Sequence, residues 1–148
     1  MQPHAQAALR RLWLKQEQTR CQQLGQDRPD DVEVWRRLAR ACWELDEAAP
    51  ALAALDRALA LQPDDDESLL GRVVACLALD RTEEALAAAV RLVALFPDHV
   101  DAGLQQIEAL RRLGRWAEAV QACERVLALP GLVLQQRLKV FHDQATFQ

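Results

Sequence analysis

The sequence predicts an all-α protein built as a row of antiparallel helix pairs, and three observations predict it. Ala and Leu dominate a chain of 148 residues that has no Tyr and only 5 Gly, a composition that favours helix over strand by intrinsic propensity. Pro29, Pro63 and Pro97 recur every 34 residues, and Ala51, Ala85 and Ala119 share that period. Apolar residues also recur at three and four positions on either side of short polar breaks, LDEAAP at 45–50, LDRTEE at 79–84 and LGRWAE at 113–118. Each unit therefore reads as two helices.

The elements follow in chain order. Residues 1–29 are predicted to hold an N-terminal capping helix, because Leu9, Leu12, Trp13, Cys21 and Leu24 stand at roughly helical spacing over 4–24, with Gly25 expected to stop it. Three helix pairs then occupy about 32–65, 66–99 and 100–131. Pro63 closes the first pair, since the residue before a proline is pushed out of helical geometry. The acids Asp64, Asp65, Asp66 and Glu67 open the next helix, where carboxylates accept from free N–H groups and offset the helix dipole. A calcium loop would need alternating oxygen ligands and a fixed Gly instead. Thr82, with Glu83 and Glu84 behind it, reads as an N-cap, Gly114 as a left-handed C-terminal residue, and Pro50 as a first-turn proline. Residues 132–148 are predicted to form a C-terminal capping helix and tail, with Leu134, Leu138 and Phe141 on one stripe; Val133, Val140 and Phe147 find no obvious place.

Composition narrows the function classes. Half the chain is apolar (51%) and 27% is charged, the balance of a folded soluble domain. The net charge is −4, distributed as +3 over residues 1–29 (5 basic, 2 acidic), −8 over 30–130 (11 and 19) and +1 over the tail (2 and 1). That argues against a nucleic-acid partner, which needs a dense basic surface. No apolar run approaches a membrane span, and the N-terminus lacks a leader-like apolar segment, which points to the cytoplasm. Cys42 and Cys76 are 34 apart and Cys21 and Cys123 are 102 apart, three periods, so all four read as small buried residues in a reducing compartment. No CxxC or Cys/His spacing suits a metal, and His4, His99 and His142 are scattered and read as surface residues. A glycine-rich phosphate loop, GxSxG and HExxH are all missing, so no catalytic role and no cofactor is expected.

A 34-residue period of two helices, with Ala near the start of the second and Pro after it, resembles the tetratricopeptide repeat family. Trp35, Leu38, Ala39, Ala51, Leu55, Ala58 and Pro63 of the first pair fall where that family's signature wants an aromatic, a Leu, small residues, a large apolar residue and Pro. The later pairs keep Ala85, Ala119 and Pro97 but place Arg72 and Gln106 where a Leu is usual, Val73 and Ile107 where a small residue is usual, and Pro130 one residue early. The resemblance implies a right-handed superhelical solenoid whose first helices line a concave groove for another protein. It assigns to that groove Arg36, Arg40, Trp43, Leu70, Val74, Leu77, Leu104, Glu108 and Arg111, basic and aromatic at one end and apolar in the middle. The Lys and Asn clamp used by members that hold acidic chaperone tails has no counterpart, since Arg36, Arg40, Gly71, Asp101 and Gln105 stand at those places. The implied activity is docking of a partner peptide or amphipathic helix by an adaptor. Alternatives are an assembly factor or secretion-type chaperone that shields a partner subunit, and a scaffold that self-assembles through its terminal helices.

Overall fold

A computed structural model describes residues 2–148. Among them are eight helices and no strand: α1 (Pro3–Asp27), α2 (Val32–Glu44), α3 (Ala48–Leu61), α4 (Asp66–Ala78), α5 (Thr82–Leu95), α6 (Val100–Arg112), α7 (Trp116–Leu127) and α8 (Leu134–Phe147). The starts of α2, α4, α6 and α8 repeat the 34-residue period. The chain forms two compact units, one ending at Gly71 and one running from Arg72 to Gln148, so the division falls inside α4.

The same local chemistry joins each helix pair. The second residue after the first helix is left-handed in all three turns, Asp46 (φ 60°), Asp80 (φ 57°) and Gly114 (φ 68°). The next residue's N–H reaches back to the first helix, from Glu47 to the Cys42 carbonyl (2.9 Å), from Arg81 to Cys76 (2.8 Å) and from Arg115 to Leu110 (3.0 Å). This satisfies carbonyls that the helix end leaves free. Gly114 is left-handed as expected, and the two aspartates hold the equivalent position at some conformational cost.

The starts of the first helices are built alike. Asp31 accepts from the Glu33 N–H at 3.1 Å, Asp65 from the Ser68 N–H at 3.0 Å and from its hydroxyl, and His99 Nδ1 from the Ala102 N–H at 3.2 Å. His99 is therefore a half-buried cap and not a surface residue. Thr82 is corrected too: it is the first residue inside α5, and Arg81 precedes it.

In the unit ending at Gly71, α1 packs on α2 and α2 on α3. Ala51 (1% exposed), Leu38, Cys42 and Leu55 form the core, with Cys21 from α1. α1 does not stop at Gly25 but runs through it to Asp27. The glycine serves an approach instead, because a Cβ there would lie 2.8 Å from the Trp35 ring. Trp35 in turn donates to the Pro29 carbonyl at 2.9 Å, and the Arg57 guanidinium sits 5.3 Å from its ring centroid. The predicted stripe on α1 is half right: Cys21 is buried, but Leu9, Leu12 and Trp13 are exposed, and the contact face is Leu14, Gln18, Cys21 and Gly25. Gln18 donates to Glu47 and to Cys42 Sγ (3.4 Å), and Arg37 pairs with Glu17, so polar bonds add to the apolar contact that holds α1.

In the second unit, α5 packs on α6, α6 on α7 and α7 on α8. Ala85 and Ala119 are fully buried, the tight positions the period marks, among Val73, Leu92, Ile107 and Val126. α8 reverses the expectation. Its buried residue is Val140, while Leu134, Leu138 and Phe141 face outward, and the Phe147 ring packs on Trp116 with centroids 5.5 Å apart. Val140 and Phe141 are neighbours in sequence and so point to different sides of α8, and the buried side is the one that carries Val140. All four cysteines are buried free thiols.

Candidate functional site

Two units carry the sequence-predicted site residues, and each is taken by itself. In the first, Arg36, Arg40 and Trp43 follow one another at i, i+4 and i+7 on α2, which puts them on one helix stripe. Arg36 is not a free cation. Its Nη1 lies 3.0 Å from Asp65 Oδ1 and 3.7 Å from Glu67, its Nε is 3.1 Å from Glu33, and the Asp65 side chain is only 4% exposed. Arg40 pairs with Glu33 (2.8 Å) and Glu67 (3.3 Å). The expected basic end is thus a lattice of two guanidiniums and three carboxylates, which corrects its charge. The carboxylates were hard to assign by sequence because two of them, Asp65 and Glu67, stand about thirty positions away. Beside the lattice Trp43 leaves 42% of its surface exposed, and Leu70 is half-buried.

In the second unit, Leu104, Glu108 and Arg111 form the same i, i+4, i+7 stripe on α6. Glu108 accepts from Arg111 (2.6 Å) and Arg112 (2.8 Å). The hydrogen bond from Arg111 holds its carboxyl below the usual range, against the opposing effect of burial. Arg111 is raised in turn by Glu108, with Asp143 of α8 adding a smaller attraction. Leu104 and Val74 are half-buried. Leu77 is a correction, since its side chain is 5% exposed and belongs to the core, and its carbonyl accepts from Arg112 Nη1 at 2.8 Å.

Two features escaped sequence reasoning. Leu138 continues the series Leu70, Leu104 at the 34-residue spacing and is 60% exposed, a signal lost by ending the repeats at 131. The second unit also holds a cleft of about 500 Å³ lined by Pro97, Gly103, Gln106, Arg125, Val126 and Leu129. Gln106, the polar residue at a usual Leu position, is 8% exposed there and accepts from Arg125 at 3.1 Å. Among the described residues no group of three His, Cys, Asp or Glu side chains is placed to hold a metal ion, and no helix is long and apolar enough to cross a membrane.

The tetratricopeptide repeat family matches the chain over residues 3–66, 43–99 and 70–131. The chain belongs to the tetratricopeptide repeat family. No curated protein matches it by sequence. Among solved structures it is similar to MamA, with a TM-score of 0.82 at 17% identity, covering 90% of this chain and 71% of that one. It is similar to the first repeat domain of Spaghetti (RPAP3) bound to the HSP90 peptide SRMEEVD, with a TM-score of 0.69 at 17% identity over 78% of this chain and 94% of that one. A thermophilic tetratricopeptide protein of Thermus thermophilus gives 0.66 at 21% identity, covering 88% and 70%. At these identities the likeness shows the fold, the all-α tetratricopeptide arrangement of helix pairs expected from the period.

Proposed function

We propose that this tetratricopeptide protein is an interaction module of the adaptor kind, in which the first helices of the repeats take a partner peptide or one face of an amphipathic helix. The observation that carries the reading is the stripe of Arg36, Arg40 and Trp43: a half-exposed indole next to guanidiniums already held in place by carboxylates. An indole in that setting is an anchor that a partner's apolar side chain covers, at little ordering cost. The Leu104, Glu108 and Arg111 stripe repeats the arrangement with an aliphatic residue in place of the indole.

An acidic tail of the kind present in the Spaghetti complex suits this chain poorly. Arg36 is committed to the buried Asp65, and a second carboxylate beside Glu33 and Glu67 would meet like charge. The partner is instead one that brings apolar side chains, with polar groups that join the existing lattice.

The test compares wild-type, Trp43→Ala and Arg40→Glu chains immobilised in parallel, with the retained proteins identified by mass spectrometry. Helical content stays unchanged by circular dichroism, and Trp43→Ala weakens capture by about 2 kcal/mol, the cost of losing an anchor. Equal capture by all three chains would move the binding face away from α2.

A further inference from the structure

We propose that the cleft of the second unit is a receptor for a tryptophan side chain carried by a partner polypeptide, which takes the place that the chain's own Trp35 fills in the first unit. The cleft shares no residue with the stripes on α2 and α6, so it is a second site beside the adaptor face.

Both units use the same turn, and Pro29 and Pro97 sit in it two repeat periods apart. In one, the Arg28 N–H donates to Leu24 and the Asp31 N–H to Arg28; in the other, Phe96 donates to Leu92 and His99 to Phe96. In the first unit this turn closes an aromatic site. Trp35 Nε1 donates to the Pro29 carbonyl at 2.9 Å, and the Arg57 guanidinium lies 5.3 Å from the ring centroid. In the second unit the surroundings recur without the ring. Pro97 and Arg125 stand where Pro29 and Arg57 do, but Gly103 stands in place of Trp35. All three line the cleft of about 500 Å³, a volume typical of ligand pockets. At the intermediate position Leu69 fills its own place, 2% exposed.

The groups that hold an indole are kept. The Pro97 carbonyl has no donor among the described residues. Arg125 donates to the neutral amide of Gln106 at 3.1 Å and, among the described residues, pairs with no carboxylate, so its charge stays available to the face of a ring. Asp98, exposed in the lining, has its counterpart in Asp30 beside Pro29, so an acid there is compatible with the aromatic site. His99 is already spent on the Ala102 N–H.

Val126 decides that the ring comes from outside. It replaces Ala58, and its Cγ2 lies 2.5 Å from where a Cβ on Gly103 would be, which closes the root of the site to a side chain of residue 103. Gln106 selects a polypeptide over a free indole. It stands where the first unit has Leu38, is 8% exposed, and gives its amide oxygen to Arg125, while its N–H groups have no acceptor among the described residues. A donor so far withdrawn from water is stabilised by a partner, and the backbone carbonyl of the segment that bears the tryptophan supplies one.

The probe is an acetylated, amidated pentapeptide, Gly-Gly-Trp-Gly-Gly, titrated into the isotope-labelled full chain and followed by amide NMR. The amides of Ala102, Gly103, Gln106 and Val126 are expected to shift together and saturably. The same peptide methylated on the indole nitrogen binds about fivefold more weakly, as for one lost hydrogen bond. Arg125→Ala, at an exposed position, keeps its circular dichroism and weakens binding about threefold. Gly103→Trp combined with Val126→Ala restores the pairing of Trp35 with Ala58, fills the cleft from within and abolishes binding. The methylated peptide and Arg125→Ala decide the matter even where that double variant fails to fold. Unshifted cleft amides overturn the proposal, as does equal binding by the methylated peptide or by one with Ala in place of Trp. Free indole that binds as tightly as the peptide also overturns it and assigns the cleft to a small molecule. Shifts confined to α2 around Trp43 overturn it too, and leave the adaptor reading standing.

Discussion

Adding one methyl group to Gly103 tests the packing of α6 on α7. Gly103 is buried, and a Cβ built there lies 2.5 Å from Val126 Cγ2, with the next contact at 3.8 Å. Carbon atoms rest at about 3.5–4.0 Å, so a shortfall of about 1 Å has to be absorbed. Val126 is 2% exposed and β-branched, and in a helix its χ1 has one strongly preferred setting, so the methyl cannot swing aside. The helices must separate, at the about 1–3 kcal/mol typical of overpacking. Against this stands the gain of about 1 kcal/mol from replacing Gly by Ala inside a helix. The net expectation for Gly103→Ala is a loss of about 1 kcal/mol, or about 3 °C in melting temperature for a chain of this length. Val126→Ala alone leaves a cavity and costs about 2 kcal/mol. In the double variant the new methyl takes up part of the vacated space, so the two losses sum to more than the double variant shows, by about 1 kcal/mol. Urea denaturation of the four chains measures the cycle. A Gly103→Ala chain stabilised by the full propensity gain, with no coupling to Val126, would refute the close approach.

Two further outcomes are expected. Asp80→Gly relieves a left-handed aspartate (φ 57°) and raises stability by about 0.5–1 kcal/mol in urea denaturation; a loss would mean that the aspartate side chain contributes more than its backbone strain costs. Burial pushes the Cys21 and Cys123 thiols up to about 11 and raises Cys42 as well. At pH 8, below those values, the thiols stay protonated, so the folded chain resists iodoacetamide while the denatured chain takes up four labels. Fast labelling of the folded chain would contradict the buried placement.

The helix pairs were legible because every unit must bury the same face, and that demand repeats Ala51, Ala85 and Ala119 at one spacing. The turns carry the period too, at Asp46, Asp80 and Gly114, and so do the caps at Asp31, Asp65 and His99. There the residue type changes from unit to unit, because Asp and Gly both tolerate a left-handed backbone and a carboxylate or an imidazole nitrogen can accept from a helix N–H. A shared backbone role is invisible to a search for shared letters. The stripe Arg36, Arg40, Trp43 was legible as a face and illegible as a charge, since helical spacing says nothing of an aspartate that caps another helix.

The terminal helices show why the remaining error fell where it did. Periodicity reports which residues share a face and is silent on which face meets a neighbour. A helix between two neighbours spends its apolar residues on both, so the ambiguity has no consequence. A helix packed against one neighbour does not. α1 meets α2 through Leu14, Gln18, Cys21 and Gly25, and α8 meets α7 around Val140. Their surplus, Leu9, Leu12 and Trp13 on one and Leu134, Leu138 and Phe141 on the other, is apolar surface beyond what the observed contacts cover. Apolar side chains over half exposed and aligned on a helix are costly to keep in water unless something covers them. Leu9, Leu12, Trp13, Leu134, Leu138 and Phe141, which helical spacing assigned to the covering faces, are the residues these two helices leave exposed.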